Sequence, residues 1–381
     1  MNEILLGVDP REQSVPALVW AAEEAVRRGL VLRLVVAVPP AHDAVRYDAI
    51  AHQSALRTRA ESAIANAEDL VRELHHGLRT ATERVNGVPA TVLCDMAEHV
   101  ALVVVGSRRL GRLPEVFSES SVVAPLTARA DCPVVVVRAP EHTTTHPPTV
   151  VVGVDGSESS QAAVAFALAE ARLREARLRA VWVWPRSVLA HDDGEEGLAE
   201  RRRLLAESLA GWADRYPDVA ISQEVLRGHP VEQLALTSQE SLSLVVGRRG
   251  RGGYSGMRLG STVHGLLDRA LCPVITVPLP RGERQTGHSA WADRSRSGTT
   301  DRPGPTAPLG TGARRPPHWF NREFPGQPGW RPATAAHSIP IEMTSGDGVF
   351  VLRAEPDEEE TTSVRTVPVK RIATPAEGAE S

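Results

Sequence analysis

"VVGVDGSESS", residues 151–160, decides the fold, because the chain has already spelled it once: "LLGVDPREQS" occupies residues 5–14. Each begins as a short apolar run, meets an aspartate (Asp9 or Asp155) and then turns polar. Three more pairs follow in the same order. "GVPATVL" at 87–93 returns as "GHPVEQL" at 228–234, and "VVVGSRR" at 103–109 as "LVVGRRG" at 244–250. "CPVVVV" at 132–137 returns as "CPVITV" at 272–277. Four matched segments in one order mean a tandem duplication with small changes of loop length.

Within each copy the apolar residues alternate between two patterns. Leu5–Val8 precedes Leu18, Ala21, Ala22 and Ala25, and Val150–Val154 precedes Val164, Ala167, Leu168 and Ala171. Both sets have the i, i+3, i+4, i+7 spacing of one helix face. "LRLVVAV" and "LRAVWVW" read as second strands, each followed by a long charged helical stretch and a short strand before Gly87 or Gly228. A helix, a fourth strand, a loop, another helix and a last strand complete each copy. Near-continuous apolar strands separated by helices predict parallel sheets covered on both faces. The expected fold is therefore α/β, two tandem three-layer domains with mainly parallel five-stranded sheets and right-handed crossovers. The first domain takes residues 1–140, "EHTTTHPPT" at 141–149 is the linker, and the second domain takes 150–280. The last strands, apolar throughout, would lie at sheet edges with pairing groups exposed. The two copies are expected to pair edge to edge inside one chain, which leaves a monomer and a homodimer both open.

Composition narrows the function. Aromatic residues are only 4% of 381, so the core must be aliphatic. A formal charge of -4 and a pI near 6.4 give no drive toward nucleic acid or an anionic membrane. Cys94, Cys132 and Cys272 are odd in number and far apart, which fits neither a disulfide framework nor a zinc site. No run approaches the ~18 apolar residues of a membrane span, and Asp9 interrupts the N-terminus too early for a signal peptide. A cytoplasmic protein is expected.

The chemistry gathers in "VVGRRGRGGYSGMRLGSTVHGLL", residues 245–267. Gly247, Gly250, Gly260 and Ser261 give the spacing G-x2-G-x9-G-S between the fourth strand and a helix that Ser261 or Thr262 would cap. Amides at a helix N-terminus, with the dipole behind them, favour an anion. Glycines let the main chain approach phosphate oxygens, and Arg248, Arg249 and Arg251 add positive charge. No Walker sequence, catalytic triad ordering or metal-ligand cluster is present, so no catalytic residue is assigned. Trp182 and Trp184 read as core filling, and Trp212 as helix packing.

On "VVGVDGS", "GHPVEQL", "LVVGRRG…GS" and "CPVITV", both copies resemble the universal stress protein family over about residues 1–280. The resemblance implies an adenine-nucleotide α-hydrolase-like sheet with ATP in the switch-point crevice. Gly247, Gly250, Gly260, Ser261 and Thr262 would surround the phosphates. Asp155 would face the ribose and phosphates, directly or through Mg2+, and Val183 would offer main-chain groups to the adenine. The first copy keeps Asp9, Gly106 and Ser120 but has Arg109 and Glu119 at the second and third glycine positions. A carboxylate where phosphate would lie opposes binding, so this copy reads as a degenerate, structural partner. The rival reading lets Arg109 compensate.

The resemblance thus implies an ATP-binding stress-response regulator, answering hypoxia, starvation or dormancy. A slow ATPase or phosphotransferase using Asp155, and a nucleotide-free scaffold working through dimerisation and its tail, are the alternatives.

Beyond Pro280 the composition shifts: 12 of the 29 prolines fall in residues 281–381, which are expected to be largely disordered. "TSGDG" between "IPIEM" and "GVFVLRAE" predicts a hairpin with Asp347-Gly348 at its turn. Residues 318–357 resemble the opening of the α-crystallin domain of small heat-shock proteins. "RTVPVKR" at 365–371 resembles that family's C-terminal extension, with Val367 and Val369 as its paired hydrophobics. The intervening strands are missing. The tail is either a remnant or a docking tag for a small heat-shock protein partner.

Overall fold

A computed structural model describes residues 2–40, 47–107, 122–142, 145–184, 194–251, 259–279, 342–345 and 348–351. The chain divides into two units, Met1–Glu323 and Phe324–Ser381. The first half of the larger unit runs β1 (Glu3–Gly7), α1 (Val15–Arg28), β2 (Val31–Val38), α2 (Tyr47–Leu74), β3 (Thr80–Asn86), α3 (Pro89–Met96), β4 (Leu102–Gly106), α4 (Val123–Arg129) and β5 (Val134–Val137). The second half repeats it as β6 (Thr149–Val154), α5 (Glu158–Leu173), β7 (Arg177–Trp184), α6 (Glu195–Leu209), α7 (Trp212–Arg215), β8 (Ile221–Arg227), α8 (Pro230–Thr237), β9 (Ser243–Gly247), α9 (Ser261–Arg269) and β10 (Val274–Val277).

These strands form one ten-stranded sheet in the order β3-β2-β1-β4-β5-β10-β9-β6-β7-β8. Pairing within each half is parallel, and the halves join antiparallel, Val274 opposite Val136 and Ile275 opposite Val135. The expected edge-to-edge pairing is thus present, and the two five-stranded sheets are continuous. Consecutive side chains point to opposite faces. Ile4 and Leu6 enter the core under α1, α2, α5 and α6, whereas Leu5 enters the core under α3, α4, α8 and α9. Both faces are buried, which is why the central strands are apolar along nearly their whole length, with only Glu3, Thr149, Ser243 and Thr276 polar in β1, β6, β9 and β10. The outermost strands differ: β3 is "TATERVN" and β8 "ISQEVLR", both half-exposed and charged. Arg33 reaches Glu83 at 3.0 Å on one edge, and Arg179 reaches Glu224 at 2.8 Å on the other.

Where α1 meets α5, duplication has produced a reciprocal buried charge cluster. Arg28 of α1 pairs with Glu24 and with Glu170 of α5, and lies over the Phe166 ring at 5.8 Å. Arg174, just past α5, pairs with Glu170, with Glu24 at 2.8 Å and with Glu141, and lies over the Trp20 ring at 5.2 Å. Glu24 and Glu170 are fully buried. Burial pushes the Glu24 carboxyl up, but Arg28, Arg174 and Arg27 outweigh it and hold the group at about 2. For Glu141 the balance falls the other way: burial raises its pKa despite Arg174. Glu141 is the first residue of the segment expected to link the domains, and its side chain is tied into this cluster. At the other end, Thr149 already belongs to β6.

The smaller unit contains an antiparallel hairpin, β11 (Glu342–Ser345) with β12 (Gly348–Val351). Ser345 pairs with Gly348, so Gly348, expected in the turn, opens the second strand instead. The remaining tail expectations, including Val367 and Val369, lie outside the described residues.

Candidate functional site

The strand order of the second domain reverses between β6 and β9, and both strands end at the same edge of the sheet. A crevice at such a switch point is where open α/β sheets take ligands. Asp155 follows β6, and Gly247 ends β9.

Two close approaches explain two of the glycines. A Cβ on Gly247 would lie 2.4 Å from the Ser159 carbonyl oxygen in the first turn of α5. A Cβ on Gly250 would lie 2.5 Å from Oδ2 of Asp155. The loop therefore folds directly onto the aspartate. Oδ1 of Asp155 accepts the Ser157 amide at 3.0 Å and the Ser157 hydroxyl at 2.6 Å, while Oδ2 accepts the Arg251 amide at 2.9 Å. The Ser159 hydroxyl accepts the Arg249 amide at 3.2 Å. Ser157 and Ser159 were not among the residues singled out from sequence; their signal was the run "DGSESS" at a helix start. Gly156 sits at φ +76, a conformation proline cannot adopt, so Pro10 in the first copy marks a different turn.

The far end of the loop returns to its beginning: the Gly260 amide donates to the Arg248 carbonyl at 3.0 Å. Gly260 is the N-cap of α9, in extended conformation, and Ser261 and Thr262 are the first two helical residues. This corrects the expectation that one of their hydroxyls caps the helix. A glycine cap offers no side-chain oxygen to the first-turn amides. In α5, by contrast, the Ser157 side chain accepts the Ser160 amide at 3.1 Å. The α9 terminus thus presents main-chain donors beside Arg248 and Gly250, an arrangement suited to an anion.

Val183 lies in β7, half-buried between Trp182 and Trp184. The last β6–β7 pair is Val154 with Trp182, so Val183 stands one residue beyond it. Trp184 gives its carbonyl to the Gly228 amide of the β8 side at 3.0 Å. Carbonyl direction alternates along a strand, which turns the Val183 carbonyl toward the crevice. Trp182 and Trp184 are buried, and Trp184 has Arg201 and Arg227 over its ring at 4.6 and 4.8 Å. Trp212 packs against the core edge with Tyr216 at 6.1 Å.

The first domain keeps part of this geometry. Oδ1 of Asp9 accepts the Arg11 amide at 2.8 Å, and a Cβ on Gly106 would meet that of Ser14 at 2.3 Å. Arg109, Glu119 and Ser120 lie outside the described residues. Among the described residues, no group of three or more His, Cys, Asp or Glu could hold a metal, and no helix is long and apolar enough to cross a membrane.

The fold and this crevice define a fused pair of α/β domains on one continuous sheet, each with an aspartate turn after its first strand, the second with a glycine-bearing connection from β9 to α9 at its switch point. The model of the universal stress protein family matches residues 1–138 and again residues 148–278, and the chain belongs to that family. Membership supports a role in the stress response. A universal stress protein of Mycobacterium tuberculosis is 36% identical over 283 residues, covering 71% of this chain and 95% of the relative. One from Mycolicibacterium smegmatis is 34% identical over 291 residues, covering 72% of this chain and 96% of the relative. A universal stress protein structure from Archaeoglobus fulgidus has a TM-score of 0.56 at 16% identity, covering 74% of this chain and 98% of that one, which bears on the fold alone.

Proposed function

We propose that the chain is an ATP-binding regulator of the stress response in which the second domain holds the nucleotide. The observation that carries this reading is the convergence, at the switch point, of a loop folded onto Asp155 and a helix whose glycine cap leaves its first amides to a ligand. The residues fit the group. Phosphates would lie over the amides of Ser261 and Thr262, beside Gly247, Gly250 and Gly260, and the adenine would meet the main chain of Val183. Mg2+ would enter with the phosphates, since Asp155 already commits both oxygens to Ser157 and the Arg251 amide. The same commitment disfavours Asp155 as a base, so binding rather than hydrolysis is the function proposed. The first domain is proposed to hold no nucleotide, and the protein to act in the cytoplasm. The Val367 and Val369 pair, as a docking segment for a small heat-shock protein, rests on sequence alone.

Titration calorimetry with ATP tests the assignment. One site is expected in the intact chain and none in Gly250→Arg with Gly260→Glu, which copies the first domain's sequence. Two sites would overturn the reading of the first domain, and none would overturn the nucleotide reading.

A further inference from the structure

The residue after the fourth strand makes the same main-chain bond in both halves: the Ser107 amide to the Val137 carbonyl and the Arg248 amide to the Val277 carbonyl, each at 3.0 Å. Their side chains differ. Arg248 crosses the domain boundary, and its guanidinium donates to the Ala130 carbonyl at 2.7 Å. Ala130 closes α4 of the first domain; it is 1% exposed and its own amide is held by Leu126 at 2.8 Å, so the acceptor is a fixed one. A carbonyl at a helix C-terminus also carries partial negative charge, and a guanidinium bound to it makes a charge-assisted bond. Ser107, the counterpart, has a hydroxyl one carbon from the main chain, too short for the reciprocal bond to Ala270 beyond α9. The contact is asymmetric, and it serves only the domain with the intact glycine spacing.

Arg248 is also the residue whose carbonyl takes the Gly260 amide. Its backbone closes the neck of the glycine loop while its side chain is anchored in the other domain. We propose that the first domain is a positioning partner for the second domain's loop, with Arg248 as the positioning residue: holding Arg248 sets Gly260 and the N-terminus of α9. A first domain without its own ligand thereby still contributes to the site. A pre-held arginine loses less freedom when an anion arrives, which favours affinity. Because coupling is reciprocal, an anion at α9 must in turn steady the Ala130 turn. The ligand in this proposal rests on the nucleotide reading; the clasp itself does not.

Hydrogen exchange on the full-length chain, with and without ATP, separates the two. Arg248→Ser, which installs the first domain's residue, is expected to speed exchange of the Gly260 amide about tenfold without nucleotide and to weaken ATP binding about three- to tenfold, the range of one net hydrogen bond. Arg248→Lys is expected to recover part of both effects. ATP is expected to slow exchange over residues 126–134 in the wild type and not in Arg248→Ser, a response that loss of charge near the phosphates would not produce. Unchanged Gly260 exchange in nucleotide-free Arg248→Ser overturns the clasp even if ATP binds. Faster Gly260 exchange in a chain that binds no ATP upholds the clasp and removes the nucleotide reading.

Discussion

Arg174→Met tests the charge cluster between α1 and α5. The substitution keeps a long side chain but deletes the guanidinium that meets Glu24, Glu170 and Glu141. Removing one partner of a buried ionic group strands the others, at a cost of about 3–5 kcal/mol. Glu24 gives an independent figure: holding its carboxyl at about 2 instead of the ordinary 4.5 corresponds to roughly 3 kcal/mol. Arg28 and Arg27 supply part of that, and the lost contact with the Trp20 ring adds back about 1 kcal/mol. A loss near 3 kcal/mol at pH 7 follows. Its pH dependence has a defined sign. A carboxyl whose folded pKa is depressed contributes stability that is present above the unfolded value and lost as pH falls toward the folded one. The deficit of Arg174→Met relative to wild type should therefore be full above about pH 5 and shrink steadily toward pH 2. Urea unfolding followed by circular dichroism, with m-values compared at each pH, measures it. A deficit under ~1 kcal/mol, or one that stays constant from pH 7 to pH 3, would refute the cluster as a stabilising, ionised group.

Three further outcomes are expected. Gly250→Ala pushes a Cβ against the Asp155 carboxylate, and calorimetry should show ATP binding weakened about tenfold with little change in melting temperature, since the loop is exposed. Gly247→Ala meets main chain at Ser159, which cannot swing aside, so it should cost about 3 kcal/mol in denaturant midpoint and lower affinity as well. Glu141→Gln removes a carboxyl that burial already biases toward its neutral form; thermal unfolding at pH 7 should find it neutral or slightly stabilising, and a loss above 2 kcal/mol would contradict that.

The duplicated strands were legible because both faces of the sheet are buried, so hydrophobicity and repeat spacing carry the same message. The aspartate turn and Gly247 and Gly250 were legible for a related reason: each fills a place where the main chain approaches something closely. The α9 cap was not. Ser261 and Thr262 have the right chemistry for capping, but the chain stays extended only through Gly260, and one residue of offset moves both hydroxyls into the helix. The charge cluster was hidden more deeply. Nothing in "EEAVRR" or "AEARLR" marks an inward carboxylate, and only the partner copy, packed against them, turns Glu24 and Glu170 inward. Glu141 looked like linker polarity for the same reason. Arg248 looked like one more basic residue of the loop mouth, because its acceptor is a main-chain carbonyl that no sequence pattern marks.

The sheet begins and ends on charged strands, and its two apolar edges, β5 and β10, are used up on each other. In a one-domain chain such an edge would have to find its match in solution, and the assembly would come apart on dilution. Here the match is tethered, at an effective concentration on the order of millimolar. The ten strands therefore stay assembled however scarce the protein becomes, and the sheet has no sticky border left from which to grow. Among the described residues no apolar strand edge of this sheet is left for a further copy or partner, so partner choice is separated from the pairing that holds the sheet together.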